Sequence, residues 1–213
     1  MAPYAVDSNY FLQHSAAAQA DRALARWQLG IPTDDVVFVA SGKLIPSKRP
    51  LDLLHPFAES EARTNTTLLY VGDGILRNKV EDTAHYLGVG QHVVVLGFRN
   101  QSGLPAIYGA GDVLVLPSEH EPWGLLANEG MAGSLAPVVS NHVGADSDLV
   151  PRDWIYPSGN VGRLALLLGR LARSPTVLAE AKRQASLKIA TWVIDECVDS
   201  ILKRVEASLD STA

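Results

Sequence analysis

The sequence predicts an α/β fold, a Rossmann-like doubly wound parallel sheet of about six strands. Three observations carry that prediction. Six short runs rich in Val, Ile, Leu and aromatic residues punctuate the chain: VVFVAS (36–41), TLLYVG (67–72), HVVVLG (92–97), DVLVLP (112–117), APVVSN (136–141) and DWIYPS (153–158). They are continuous rather than alternating, the pattern of strands covered on both faces. Stretches with helical spacing separate them, and a repeating strand–helix order implies parallel strands joined by right-handed crossovers.

Each element follows from its local signals. AAAQADRALARWQLG (16–30) reads as one helix that ends at Gly30, with Pro32 preventing its continuation. LLHPFAESEA (53–62), ILRNKVEDTAHYL (75–87), LPAIYGAG (104–111) and GLLANEGMA (124–132) supply helices after the first four strands. After the last strand, VGRLALLLGRLAR (161–173) and VLAEAKRQASLKIATWVIDECVDSILKRVEA (177–207) are helical, the second broken near Thr191-Trp192. The expected organisation is a leading segment and helix (1–30), a main α/β domain (31–190) and a C-terminal helix (191–213). There is no internal repeat and no low-complexity tract.

Composition narrows the function. A chain of 213 residues with 47% hydrophobic and 19% charged residues buries one substantial core. The formal charge of −5 argues against a nucleic-acid binder, which shows a basic face, yet leaves room for a local basic pocket. One cysteine, Cys197, excludes an internal disulfide and suits the cytoplasm; without a nearby His it reads as a buried or idle thiol. MAPYAVDSNYFLQHS lacks a basic start followed by an apolar core, so no secretory signal is expected, and no apolar run reaches a membrane span.

In doubly wound sheets ligands sit at the carboxyl ends of the strands, so chemistry is expected in those loops. The first, SGKLIPSKRP (41–50), places Lys43, Lys48 and Arg49 after the turn-forming Gly42. Converging cations suit a phosphate or diphosphate, although a solvated basic turn is the simpler reading of the loop alone. It is not a Walker A loop, and Gly72-x-Gly74 in the second loop is too short for a dinucleotide fingerprint. There Asp73 is expected to cap the next helix. In the third loop, Arg99 suits a planar base, and Ser102 is a candidate helix cap. In the fourth, SEHEPWGLLANEGM (118–131), Pro122 fits a first helical turn and Gly124 leaves room at the backbone. Amides around Gly124, Leu125 and Leu126 would offer an anion site, flanked by Glu121 and Glu129. Carboxylates do not bind phosphate but accept hydrogen bonds from vicinal hydroxyls. A diphosphate between a ribose and a sugar meets both needs. Taken singly, either Glu reads as a helix-dipole or surface charge. After the fifth strand, Asp146-Ser147-Asp148 is a possible divalent-metal triplet, but Val143-Gly144-Ala145 separates it from the strand and capping by Asp146 is favoured.

In order and spacing these loops resemble the C-terminal, donor-binding domain of GT-B glycosyltransferases of the retaining family 4. The resemblance runs from Tyr4-Ala5-Val6-Asp7, similar to the inter-domain segment, through Ser41-Gly42-Lys43-Leu44 with Lys48, Val71-Gly72-Asp73-Gly74 and Leu96-Gly97-Phe98. It continues with Tyr108 and Gly111-Asp112-Val113, and culminates in Glu121 and Glu129, which match the family's E-x7-E signature. It implies that Glu121 accepts hydroxyls of the transferred hexosyl group and Glu129 those of the ribose. Backbone from Trp123 through Gly124 and Leu125 to Leu126 would meet the sugar and distal phosphate. Gly42, Lys43 and Lys48 would hold the diphosphate, and Phe98 with Arg99 the base. Lys48 and Glu121 are then the residues closest to catalysis, which is electrostatic and requires no metal or other cofactor. Both UDP- and GDP-sugars fit. Two departures stand out: Lys43 replaces the family's arginine, and the proline at 137 is shifted by one place, which loosens the alignment of strand five. Gly130 inside a helix implies close packing against a ligand or a strand.

The resemblance also implies what is missing. The acceptor-binding N-terminal domain, as part of a longer protein or a separate chain, is the expected partner, and any membrane association would run through it. None of the histidines, His120 beside Glu121 included, replaces the one expected there; His120 is taken to line the cleft or face solvent. The isolated chain is expected to bind a nucleotide sugar and transfer little or nothing. The alternatives are a non-catalytic nucleotide-binding or assembly module and half of a GT-B-like nucleotide-sugar epimerase.

Overall fold

A computed structural model describes residues 4–59, 65–146 and 148–210. Its centre is a six-stranded, all-parallel sheet in the order β3-β2-β1-β4-β5-β6. The strands are β1 (Val36–Ser41), β2 (Thr66–Val71), β3 (Val93–Val95), β4 (Val113–Leu116), β5 (Ala136–Ser140) and β6 (Ile155–Tyr156). Every predicted strand is present, and the continuous apolar runs are explained by burial. Val37, Phe38, Val39, Leu68, Leu69, Leu114 and Val115 are fully enclosed, because helices cover both faces.

Nine α-helices are seen among the described residues: α1 (Ser8–Ala20), α2 (Arg22–Gln28), α3 (Leu54–Glu59), α4 (Arg77–Tyr86), α5 (Leu104–Ala110), α6 (Leu125–Ala132), α7 (Val161–Arg173), α8 (Pro175–Ala190) and α9 (Ile194–Asp210). Helices α1, α2, α5, α6 and α8 contact one another in one layer; α3, α4 and α7 form the other. No helix among the described residues is long and apolar enough to cross a membrane. Residues 60–62 of the helix predicted after β1 lie outside the described residues.

Several local expectations are corrected. The leading segment is two helices rather than one: the Asp21 carboxylate accepts from the Leu24 amide at 3.2 Å, starting α2 afresh. Asp7 starts α1 in the same way, through the Tyr10 amide at 2.9 Å. Asp73 does not cap α4; it accepts from the Gly74 amide and from Arg77, bracing its own loop. Asn100, not Ser102, caps the short turn before α5 through the Gly103 amide at 3.1 Å. Asp146 heads no helix: the segment after β5 continues as turns, with Ser147 outside the described residues. The Gly130 expectation resolves as helix against strand, since a Cβ there would stand 2.8 Å from Leu114 Cδ2 of β4. The shifted Pro137 is accommodated opposite Leu114 without a break in the β4–β5 register.

Leaving β1 the chain winds toward β3, and leaving β4 it winds toward β6. The carboxyl ends of β1 and β4 therefore flank the crevice where helices diverge to opposite faces, the place such sheets offer a ligand.

Candidate functional site

The loops at that crevice are tied together by main-chain bonds. Gly42 N donates to Val71 O and Leu44 N to Asp73 O, each at 2.9 Å, joining the loops after β1 and β2. The approach is so close that a Cβ on Gly72 would lie 1.9 Å from Gly42 O, and Gly72 has φ +152°. Glu119 N donates to Ser47 O at 2.9 Å, joining the loops after β4 and β1. Glu121 N donates to His142 O at 3.0 Å and Gly144 N donates to Glu121 O at 2.9 Å, bringing in the loop after β5.

These ties build a narrow cavity lined by Ser41, Gly42, Lys43, Lys48, Ser118 and Glu121 over an apolar floor that includes Leu116 and Tyr70. Lys48 Nζ and Glu121 Oε2 form a hydrogen-bonded ion pair across it. Lys43 is exposed at the rim. Arg49 does not join the other two cations: its Nε donates to Asp52 at 2.7 Å and its Nη1 lies 3.5 Å from Glu119. A wider groove of about 520 Å³, between Asp148–Arg152 and the end of α8, has no buried polar side chain in its wall and is set aside.

Helix α6 begins at Leu125, later than Pro122 suggested, because Gly124 takes the left-handed conformation (φ +91°) and turns the chain into the helix. A Cβ at 124 would meet Val143 Cγ1 at 2.7 Å, so the turn is closed to other residues on two counts. Leu126 Cδ1 lies 3.5 Å from the Cβ position of Gly42, which sets the start of α6 against the first loop. Leu125 is exposed beside it.

Glu129, one turn further, is buried at 8% exposure, where a surface charge was the simple reading. The Tyr108 hydroxyl on α5 stands 3.5 Å from both Glu129 Oε2 and Ser41 Oγ. Burial pushes the Glu129 carboxyl up to about 7, with the tyrosine bond opposing in part. The structure thus links Glu129 to the cavity holding Lys48 and Glu121 through Ser41. Tyr108 was legible only as part of a motif; a lone hydroxyl in LPAIYGA was the signal for its polar role.

Other residues fall outside the cavity. Phe98 is 73% exposed at the end of β3, and Arg99 donates to the Phe98 carbonyl at 3.0 Å. Both stand on the loop joined to β2 through Gly72 N and Gly97 O, at the neighbouring strand ends. His120 is exposed and does not line the cavity. The Trp123 ring turns away, stacking on Trp192 and Tyr4 while its Nε1 donates to Asn128. The Asn128 amide and the Trp192 indole both donate to Tyr4 O, at 3.0 and 2.8 Å, a junction that sequence patterning missed. Cys197 is half-buried on α9, and among the described residues no group of His, Cys, Asp and Glu side chains is placed to hold a metal ion.

Fold and crevice together define a GT-B-type α/β domain. The chain belongs to the glycosyl transferases group 1 family, whose model matches residues 21–188. It is 34% identical over 136 residues to an uncharacterized glycosyltransferase of Methanocaldococcus jannaschii, covering 62% of this chain and 35% of that protein. The crystal structure of HepE from Anabaena in complex with UDP and glucose superposes with a TM-score of 0.83 at 21% identity, covering 96% of this chain and 56% of that one. The C-terminal domain of the LpcC glycosyl transferase group 1 protein of Francisella tularensis superposes with a TM-score of 0.74 at 17% identity, covering 81% and 93%. The chain spans about a third to a half of the length of the curated relatives it matches.

Proposed function

We propose that this chain is the donor-binding, C-terminal half of a retaining family 4 glycosyltransferase, which transfers a hexosyl group from a nucleoside-diphosphate sugar. The observation that carries this reading is the convergence of Lys48, Glu121, the start of α6 and buried Glu129 on the β1–β4 crevice. Family membership supplies the reaction class, and the UDP and glucose of the HepE complex make a UDP-hexose the first donor to test. The near-complete overlap with an isolated C-terminal domain supports the assignment to that half.

In this reading the donor displaces an ion pair. Lys48 leaves Glu121 for the diphosphate, and Glu121 turns to the sugar hydroxyls, so the cation keeps an anionic partner and the carboxylate keeps hydrogen-bond donors. Lys43 and the amides beginning α6 stabilise the negative charge that grows on the departing diphosphate. Glu129 accepts from the ribose hydroxyls, and Tyr108 keeps its carboxylate oriented. Phe98 and Arg99 offer an exposed ring and cation to the base. No step in this scheme calls for a metal.

Calorimetric titration with UDP-, GDP- and ADP-sugars tests the proposal. Saturable binding of one of them, abolished in Glu129→Ala and weakened in Glu121→Ala, is expected. Absence of binding at millimolar concentration would leave a non-catalytic assembly module as the better account.

A further inference from the structure

Arg49 occupies a conformation in which an arginine is out of place. It lies between two 3₁₀ turns, Pro46–Lys48 and Pro50–Leu53, with φ 47° and ψ 46°. That is left-handed backbone, which side chains rarely adopt, and a following proline restricts the residue further. Glycine would sit there without strain. The reason for an arginine must therefore lie in its side chain.

The guanidinium reaches three carboxyl-end loops at once. Within the loop after β1, Nε donates to Asp52 Oδ2 at 2.7 Å. Across to the loop after β4, Nη1 lies 3.5 Å from Glu119 Oε2. Toward the turn after β6, Nη2 lies 3.3 Å from the Cβ position of Gly159, which has no side chain to obstruct it. Glu119 is also the residue whose amide donates to Ser47 O, and its carbonyl meets His142 Nδ1 at 2.8 Å. The next residue after Arg49, Pro50, accepts the buried Tyr70 hydroxyl at 2.7 Å, which anchors the strap to β2. Lys48 precedes Arg49 directly and Glu121 follows Glu119 by two positions. The bridge therefore joins the chain segments that carry Lys48 and Glu121.

We propose that Arg49 is a positioning residue: by joining Asp52 to Glu119 beside the Gly159 turn, it fixes the separation of the loops that carry Lys48 and Glu121, and so sets affinity for the sugar-diphosphate end of the donor. This rests on the donor-site reading above. The rigid fork of the guanidinium holds two carboxylates in fixed directions, a geometry that an ammonium on a flexible stem reproduces only in part.

The test is titration of the full chain with UDP-glucose, read by calorimetry or by chemical shifts, in R49G, R49K, E119Q and R49G/E119Q. R49G removes the side chain and relieves the backbone, so its thermal midpoint should stay near that of the wild type. Its UDP-glucose affinity should fall on the order of 10-fold, the consequence of losing a charge-assisted bridge. R49K should recover part of that loss. E119Q should weaken binding comparably, and the double variant no more than either single one, because both changes break the same bridge. Binding by R49G as tight as wild type overturns the proposal, as do losses in R49G and E119Q that simply add. If the wild type binds and Glu129→Ala does not, an unaffected R49G sinks the role of Arg49 alone. If the wild type binds none of the UDP-, GDP- and ADP-sugars, the donor-site reading fails and takes this proposal with it.

Discussion

Glu129 shows what a single residue adds beyond its place in a motif. A carboxyl raised to about 7 by burial is protonated in the folded chain at pH values where the unfolded chain has already ionised it. The folded state then binds more protons, so this residue's contribution to stability falls as pH rises from about 4.5 to about 7 and stays low above that. Glu129→Gln removes the ionisation. It should stabilise the chain relative to wild type by about 3 kcal/mol at pH 8, with the difference vanishing near pH 4. Chemical denaturation of both proteins across that range checks it. Donor affinity should move in the opposite sense, rising in the wild type as pH passes through 7, because the ionised carboxylate is the better acceptor for ribose hydroxyls. The spacing of Glu121 and Glu129 was readable in the sequence; the burial was not. LLANEGMA is apolar around almost its whole circumference, so its pattern does not show that position 129 points inward. Arg49 was read as one more cation of a basic loop, and only the fold shows it turned toward Glu119.

At the scale of elements, the strands were legible because burial on both faces writes a continuous apolar run. The first run coincides with β1 and the second is displaced by one residue, whereas the others extend one or two residues past a strand end, as at His92, which belongs to the turn before β3. The break between α1 and α2 and the late start of α6 escaped notice because each depends on one residue's conformation, at Asp21 and Gly124. Gly124→Ala should therefore do more than lower helix propensity. Left-handed strain and the contact with Val143 together should cost about 2–3 kcal/mol and displace the start of α6, read as a lower thermal midpoint with loss of donor binding. A second node lies at the far end of β4. Asp112 accepts from buried Arg26, from Arg22 and Lys182, and from the Val37 amide, tying α2 and α8 to the sheet. Burial alone would raise its carboxyl, but Lys182, Arg22 and the Val37 bond outweigh that and hold it below the ordinary range. Its contribution is thus fully present above the ordinary carboxylate range and fades as pH falls through the lowered value. Asp112→Ala strands the Arg26 charge in the interior and should cost about 3 kcal/mol, with urea denaturation as the measurement and donor binding largely retained in the folded fraction.

For the molecule as a whole, the sheet order decides where the chemistry can be. Lys43 and Lys48 stand on the loop after β1, and Glu121 and the start of α6 on the segment after β4, so the crevice is bordered by both. On the proposed reading the acceptor is held by a second wall; without it water competes at the leaving group and no acceptor is held in line, so orientation and desolvation are forfeited. Relatives of this chain are two to three times its aligned extent, which leaves ample sequence for a second wall in such proteins. On the proposed reading, donor binding and transfer are separable here: the chain should bind a UDP-hexose with a dissociation constant on the order of millimolar, since ordering a ligand against one wall recovers only part of the available contact. UDP release in its presence should stay at the uncatalysed background, with or without added acceptor sugars. Multiple turnover by this chain, abolished by Lys48→Ala, would show instead that one wall suffices and that the Lys48–Glu121 pair completes a catalytic centre without a partner.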